Sequence, residues 1–190
     1  IAIRIARAAC GKDDVAVCGY HGWHDWYLSA NLKKKNQIEK YLLSGLQTSG
    51  VPKYLGNSVH TFKFNDLESL KKLLKNNSKI GILKMEVSRN FEPNNSFLKK
   101  VRNLCTKNKI ILIFDECTSG FRETYGGIHK KYNVNPDIVI YGKALGNGHA
   151  ITAIIGKKVI MNHAKNTFIS STFWSERSGF VAALETLKVM

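Results

Sequence analysis

The sequence predicts an α/β domain built on a mostly parallel sheet, and three observations carry that prediction. Strand-like stretches stand at 15–18 and 79–86, and short, continuous apolar runs rich in Ile and Val follow at 110–114 and 138–141. Amphipathic patterns of helical period stand between them, at 67–74 and again at 97–105. The last two runs lie about two dozen residues apart, room for a crossover between parallel neighbours, and each leads into a charge: Asp115 and Lys143. A β–α–β–α rhythm of this kind is the signature of parallel strands joined by helices.

Taken in order, residues 1–10 (IAIRIARAAC) alternate apolar and Arg/Ala positions at helical spacing, and Gly11 is placed as the residue just past the helix end. The run 15–18 predicts a short strand that opens into Gly19-Tyr20-His21-Gly22-Trp23-His24-Asp25-Trp26. An aromatic at a strand end, flanked by glycines that let the backbone turn, suits stacking on a flat ring. Residues 31–59 show no clear periodicity. Residues 59–64 alternate as a strand, and Asn65-Asp66-Leu67-Glu68 reads as a capped helix start for 67–74. A buried strand at 79–86 ends on Glu86. Pro93 predicts the start of a helix in which Phe97, Val101, Leu104 and Cys105 share a face. Beyond Lys143, further strands are expected at 151–155 and 167–170, and a last helix at 177–190.

Composition narrows the function classes. The 190 residues carry a net charge of +15, which suggests a basic nucleic-acid-binding α/β domain as the non-enzymatic alternative. Yet the lysines are spread over 33–35, 71–75, 99–109 and 130–131, mostly on polar sides of amphipathic segments. That pattern reads as a solvated basic face, so neither nucleic acid nor membrane is expected as a partner. No apolar run reaches the length of about 18 residues that a spanning helix needs. Cys10, Cys18, Cys105 and Cys117 lack metal-binding spacing and suit reduced thiols, hence a cytoplasmic setting. His21, His24 and Asp25 are spaced for a metal but have no further ligand set. Gly146-Asn147-Gly148 lacks the third glycine of a dinucleotide fingerprint.

Strand-end charges in open α/β sheets face the ligand crevice. From the residues alone, Asp115 and Lys143 either pair with each other in the interior or share a ligand. The segments FDECTSGFR (114–122) and PDIVIYGKALGNG (136–148) resemble the core of the class III aminotransferases, enzymes of the fold type I group that use pyridoxal 5′-phosphate (PLP). The resemblance implies a three-layer sandwich. It implies that Lys143 forms a Schiff base with the cofactor and that Asp115 pairs with its pyridine nitrogen, keeping the ring an electron sink. A lysine beside a cationic ring and partly desolvated is available as nucleophile and then as proton shuttle. By the same resemblance Tyr20 stacks on the ring, with His21 beside it. Cys117 supports the opposite ring face, and Thr172 reaches the phosphate bound by a neighbouring subunit, which implies a homodimer.

Other features follow from the same likeness. Glu86 stands where the family has Glu-Pro, but Val87 replaces the proline, which leaves that strand end in question. A phosphate-cradling loop is expected ahead of Ile1, and the chain is expected to be a partial large domain without its amino-terminal segment and carboxyl-terminal small domain. The implied chemistry joins a small-molecule amine donor and a carbonyl acceptor. The Tyr20-His21-Gly22, Gly120-Phe121-Arg122 and Ser170-Ser171-Thr172-Phe173-Trp174 pieces resemble the glutamate-1-semialdehyde 2,1-aminomutase branch, so intramolecular amino transfer stands as the alternative activity.

Overall fold

The computed structural model describes residues 1–32, 46–94 and 96–190. Among the described residues six strands form one sheet: β1 (Asp14–Cys18), β2 (Val59–Thr61), β3 (Ile80–Glu86), β4 (Ile111–Asp115), β5 (Ile138–Tyr141) and β6 (Ala153–Gly156), in the order β2-β1-β3-β4-β5-β6. The first five are mutually parallel and β6 runs antiparallel to β5. Every residue of β3 and β4 is buried, which is why β4 reads as a continuous apolar run up to Asp115 and β3 as an apolar stretch interrupted by Lys84 and ended by Glu86.

Helices cover both faces, making three layers. Helix α1 (Ala2–Cys10) lays Ala2, Ile3 and Ala6 against Val15, Val17, Ile82 and Ile113. Gly11, at φ 64°, closes it in the left-handed conformation that glycine adopts without strain. Opposite, α3 (Leu67–Asn76) and α4 (Phe97–Lys107) bury Leu70, Leu98, Val101 and Cys105 against Leu83, Met85, Leu112 and Phe114. Each fully buried Leu, Ile or Phe contributes about 1.5–3 kcal/mol through apolar burial. The Asp66 side chain accepts from the Ser69 N–H at 2.8 Å, the cap its position suggested. A short α2 (Asp25–Leu28) follows the aromatic turn, α5 (Lys158–Met161) follows β6, and α6 (Arg177–Val189) ends the chain.

Two sequence expectations are corrected. Residues 167–170 form no strand; they follow a 3₁₀ turn, Asn162–Asn166, and the Phe168 carbonyl accepts from Arg4 rather than from a neighbouring strand. The helix expected from Pro93 begins at Phe97, because Ser96 sits at φ 67° and breaks the run before it. Residues 33–45, within the stretch without clear periodicity, lie outside the described residues.

Candidate active site

Side-chain alternation and parallel register place the charges. Glu86 pairs with Asp115 across β3 and β4, and Lys84 with Ile113. In-register neighbours in a parallel sheet project to one face, so Lys84, Glu86 and Asp115 share the α1 face at the carboxyl ends of the strands. There they line a cavity of about 430 Å³ together with Tyr20, His21 and Lys143, a volume suited to a small ligand.

Asp115 is 8% exposed and its carboxylate is held on three sides. Oδ2 lies 3.0 Å from His21 Nδ1 and 2.9 Å from Lys84 Nζ, and Oδ1 accepts from the Cys117 N–H at 3.2 Å. Burial works against ionisation, but the His21 hydrogen bond and the Lys84 charge outweigh it and hold this carboxyl well below the usual range. His21 is itself buried between Asp115 and the Cys18 carbonyl, 3.2 Å from Nε2. Burial, then Lys84, lowers its pKa against the pull of Asp115.

Lys143 lies two residues past β5, at φ 47°, a left-handed conformation that costs a non-glycine residue about 1–3 kcal/mol and clusters at functional sites. Its Nζ donates to Thr118 Oγ1 at 2.7 Å. It does not bond Asp115, so the direct ion pair left open by the sequence is not formed; Lys84 occupies that place. Lys143 is exposed in this chain, so the partial desolvation expected of it is not provided by the described residues. The turn after it is seated by Leu145, which packs with Ala183 of α6.

Tyr20 lines the cavity half-buried, with its backbone N–H donating to Glu86 Oε2 at 2.8 Å. Arg89 holds the other side of Glu86, its Nε 2.9 Å from both carboxylate oxygens, and its guanidinium lies 5.3 Å from the centre of the Tyr20 ring. Tyr27 donates to the Gly19 carbonyl at 2.8 Å. Glu86 therefore anchors the aromatic turn whether or not a proline follows it. Gly19 is required here: φ is 109°, and a Cβ would stand 2.8 Å from Glu86 Oε2.

Cys117 reaches the cavity from the turn that follows β4, since the strand ends at Asp115. Burial first, and Asp115 second, push its thiol up to about 12, so it is a neutral packing group at physiological pH. Thr172 is exposed in the 3₁₀ turn Thr172–Ser175 and does not line the cavity with Asp115. Lys84 and Arg89 were not anticipated. The signal for Lys84 was present, a lone ammonium inside the otherwise apolar ILKM of a fully buried strand.

The arrangement defines an α/β protein with a preformed crevice at its strand ends, in which an ionised carboxylate and a separate primary amine, bonded among the described residues only to the Thr118 hydroxyl, flank one cavity. Residues 86–190, more than half the chain, match the family described as aminotransferase class-III. The chain belongs to the class-III aminotransferases. It is similar to the 3-aminobutyryl-CoA aminotransferase of Cloacimonas acidaminovorans, 37% identical over the whole chain and 44% of that protein. It is also similar to the glutamate-1-semialdehyde 2,1-aminomutase of Methanobrevibacter smithii, 36% identical over 98% of the chain and 45% of that protein. Among solved structures, an omega-transaminase from Sphaerobacter thermophilus superposes with a TM-score of 0.83 at 25% identity, over 99% of this chain and 46% of that one. The chain thus spans a little under half the length of the relatives it matches. Among the described residues no helix is long and apolar enough to cross a membrane.

Proposed function

We propose that this chain carries the cofactor-binding core of a PLP-dependent class III aminotransferase that moves an amino group from a small amine donor to a carbonyl acceptor. The observation that carries this reading is the pairing, across one cavity, of a carboxylate held ionised with a lysine amine engaged only by a hydroxyl among the described residues. These residues fit the group. Asp115 Oδ1 accepts a single N–H among the described residues, which leaves acceptor capacity for a ring N–H.

Bound PLP supplies a carbonyl that condenses with amines and a protonated ring that accepts electron density from the substrate α-carbon. Asp115 would hold the ring N–H. Lys143 would hold the cofactor covalently, then carry the proton between substrate carbon and cofactor, its amine oriented by Thr118 Oγ1. Tyr20 would cover one ring face, and His21 would buttress the carboxylate. Cys117, a neutral thiol, would pack against the opposite face. Thr172, away from the cavity, would serve the phosphate of a neighbouring subunit's site.

A homodimer agrees with the exposed apolar side chains Phe173, Trp174, Phe180, Val181 and Leu184 on and before α6, a patch that calls for cover by more of the protein or by a second subunit. Four free cysteines suit a reducing, cytoplasmic setting. The similarity to glutamate-1-semialdehyde aminomutases supports a second reading, amino transfer within one substrate molecule. Incubating the whole protein with PLP, reducing with borohydride and mapping peptides tests the assignment: the adduct should fall on Lys143 and vanish in Lys143→Ala. An undiminished adduct in that variant refutes it. Adding amine donors, or glutamate-1-semialdehyde, while following the cofactor spectrum separates transfer from isomerisation.

A further inference from the structure

Lys84 is 6% exposed in the centre of a strand whose other members, apart from Glu86, are apolar or glycine. Its Nζ lies 2.9 Å from Asp115 Oδ2 and 5.3 Å from the centre of the Trp26 ring. Among the described residues Asp115 is its only ion-pair partner. Taking an ammonium out of water is costly unless it is matched in place, and a Val or Ile here would continue the strand without that cost.

The oxygen that takes Lys84 also faces His21 Nδ1 at 3.0 Å, while His21 Nε2 faces the Cys18 carbonyl at 3.2 Å. A neutral imidazole has one N–H and satisfies one of these contacts; an imidazolium donates at both. Facing His21 are the Asp115 carboxylate from β4, Lys84 and Glu86 from β3, the Cys18 carbonyl from β1, and the Trp26 and Tyr27 rings from α2. With Lys84 in place, charging His21 would set two cations against one oxygen, which disfavours the imidazolium even though it would donate at both contacts.

We propose that Lys84 is a positioning residue: it supplies the counter-charge of Asp115, which keeps His21 neutral and leaves Oδ1 open toward the cofactor. The part concerning Asp115 and His21 stands on this geometry alone; the part concerning the cofactor rests on the PLP reading above. Without Lys84, His21 takes up one proton from solvent and becomes the counter-ion in its stead. The two groups are then interchangeable as partners of Asp115, and only the loss of both leaves the carboxylate unsupported.

The test uses the whole protein. In the cofactor-free form, ¹⁵N-labelled histidine spectra, with His21 assigned by its loss in His21→Gln, report the protonation of each ring nitrogen. The expected result at pH 7 is a neutral His21 in the unaltered protein, a doubly protonated ring in Lys84→Met and in Lys84→Gln, and a neutral ring again in Lys84→Arg. Lys84→Gln keeps the length and polarity of the side chain and gives the answer if Met at this position prevents folding. A charged His21 in the unaltered protein, or the same state in all variants, overturns the proposal. Absorbance titration with PLP then measures positioning. Each single change, Lys84→Gln or His21→Gln, should weaken binding no more than about threefold, and the double change at least tenfold. A double variant that binds as the singles do overturns the positioning role. If no protein in the set forms a reducible adduct at Lys143, the PLP reading fails, and the histidine spectra still decide the Lys84–His21 relation by themselves.

Discussion

Replacing Asp115 by Asn removes one charge and almost no volume. Asp115 and the Lys84 it faces are 8% and 6% exposed, so the variant leaves an ammonium buried without a counter-ion and takes from His21 its charged partner. Breaking one side of a buried pair costs about 3–5 kcal/mol, whereas replacing both sides by groups of similar volume is often nearly neutral. The expected loss for Asp115→Asn, from urea unfolding of the cofactor-free whole protein at pH 7, is therefore about 3 kcal/mol or more. Adding Lys84→Met should restore most of it, a non-additivity that a double-mutant cycle measures. The pH dependence has a definite sign. A carboxyl held below its ordinary value contributes stability that is complete above about pH 4 and is lost as pH falls toward its folded value. The acid limb of the stability curve below pH 4 should accordingly be shallower in Asp115→Asn. A single variant within about 1 kcal/mol of the unaltered protein, or an unchanged acid limb, would refute the reasoning.

Three further outcomes are expected. Gly19→Ala, which places a Cβ against Glu86 in a left-handed backbone, should lower stability by about 1–3 kcal/mol and weaken PLP binding, measured by thermal melting and titration. Glu116 is fully buried and accepts from Ser119 Oγ, His129 Nδ1 and the N–H groups of Ile128 and His129; Glu116→Gln turns an amide donor toward those donors and should cost about 3 kcal/mol in denaturant unfolding. Filter binding to duplex DNA near physiological salt should show no more than the weak generic affinity of a basic surface, about 10⁻⁴–10⁻⁶ M; tight, salt-sensitive binding would favour the nucleic-acid alternative.

The linear chain determined most strands and helices and their order along the sequence, because burial leaves a periodic mark on each of them. Continuous Ile/Val runs marked β4 and β5, a largely apolar stretch marked β3, helical periods marked α1, α3 and α4, and Gly11 and Asp66 marked the helix ends they cap. It also marked Asp115 and Lys143, because charges at the ends of apolar runs stand out in one dimension. Which groups meet was decided only by folding. The partner of Asp115 is Lys84, 31 positions away on the neighbouring strand, because parallel register and side-chain alternation aim both at one face. His21 and Asp115, 94 positions apart, meet for the same reason: strand ends distant in sequence converge on one edge of the sheet. The lack of a strand at 167–170 was equally beyond a local reading, since a strand exists only through the backbone bonds of a neighbour.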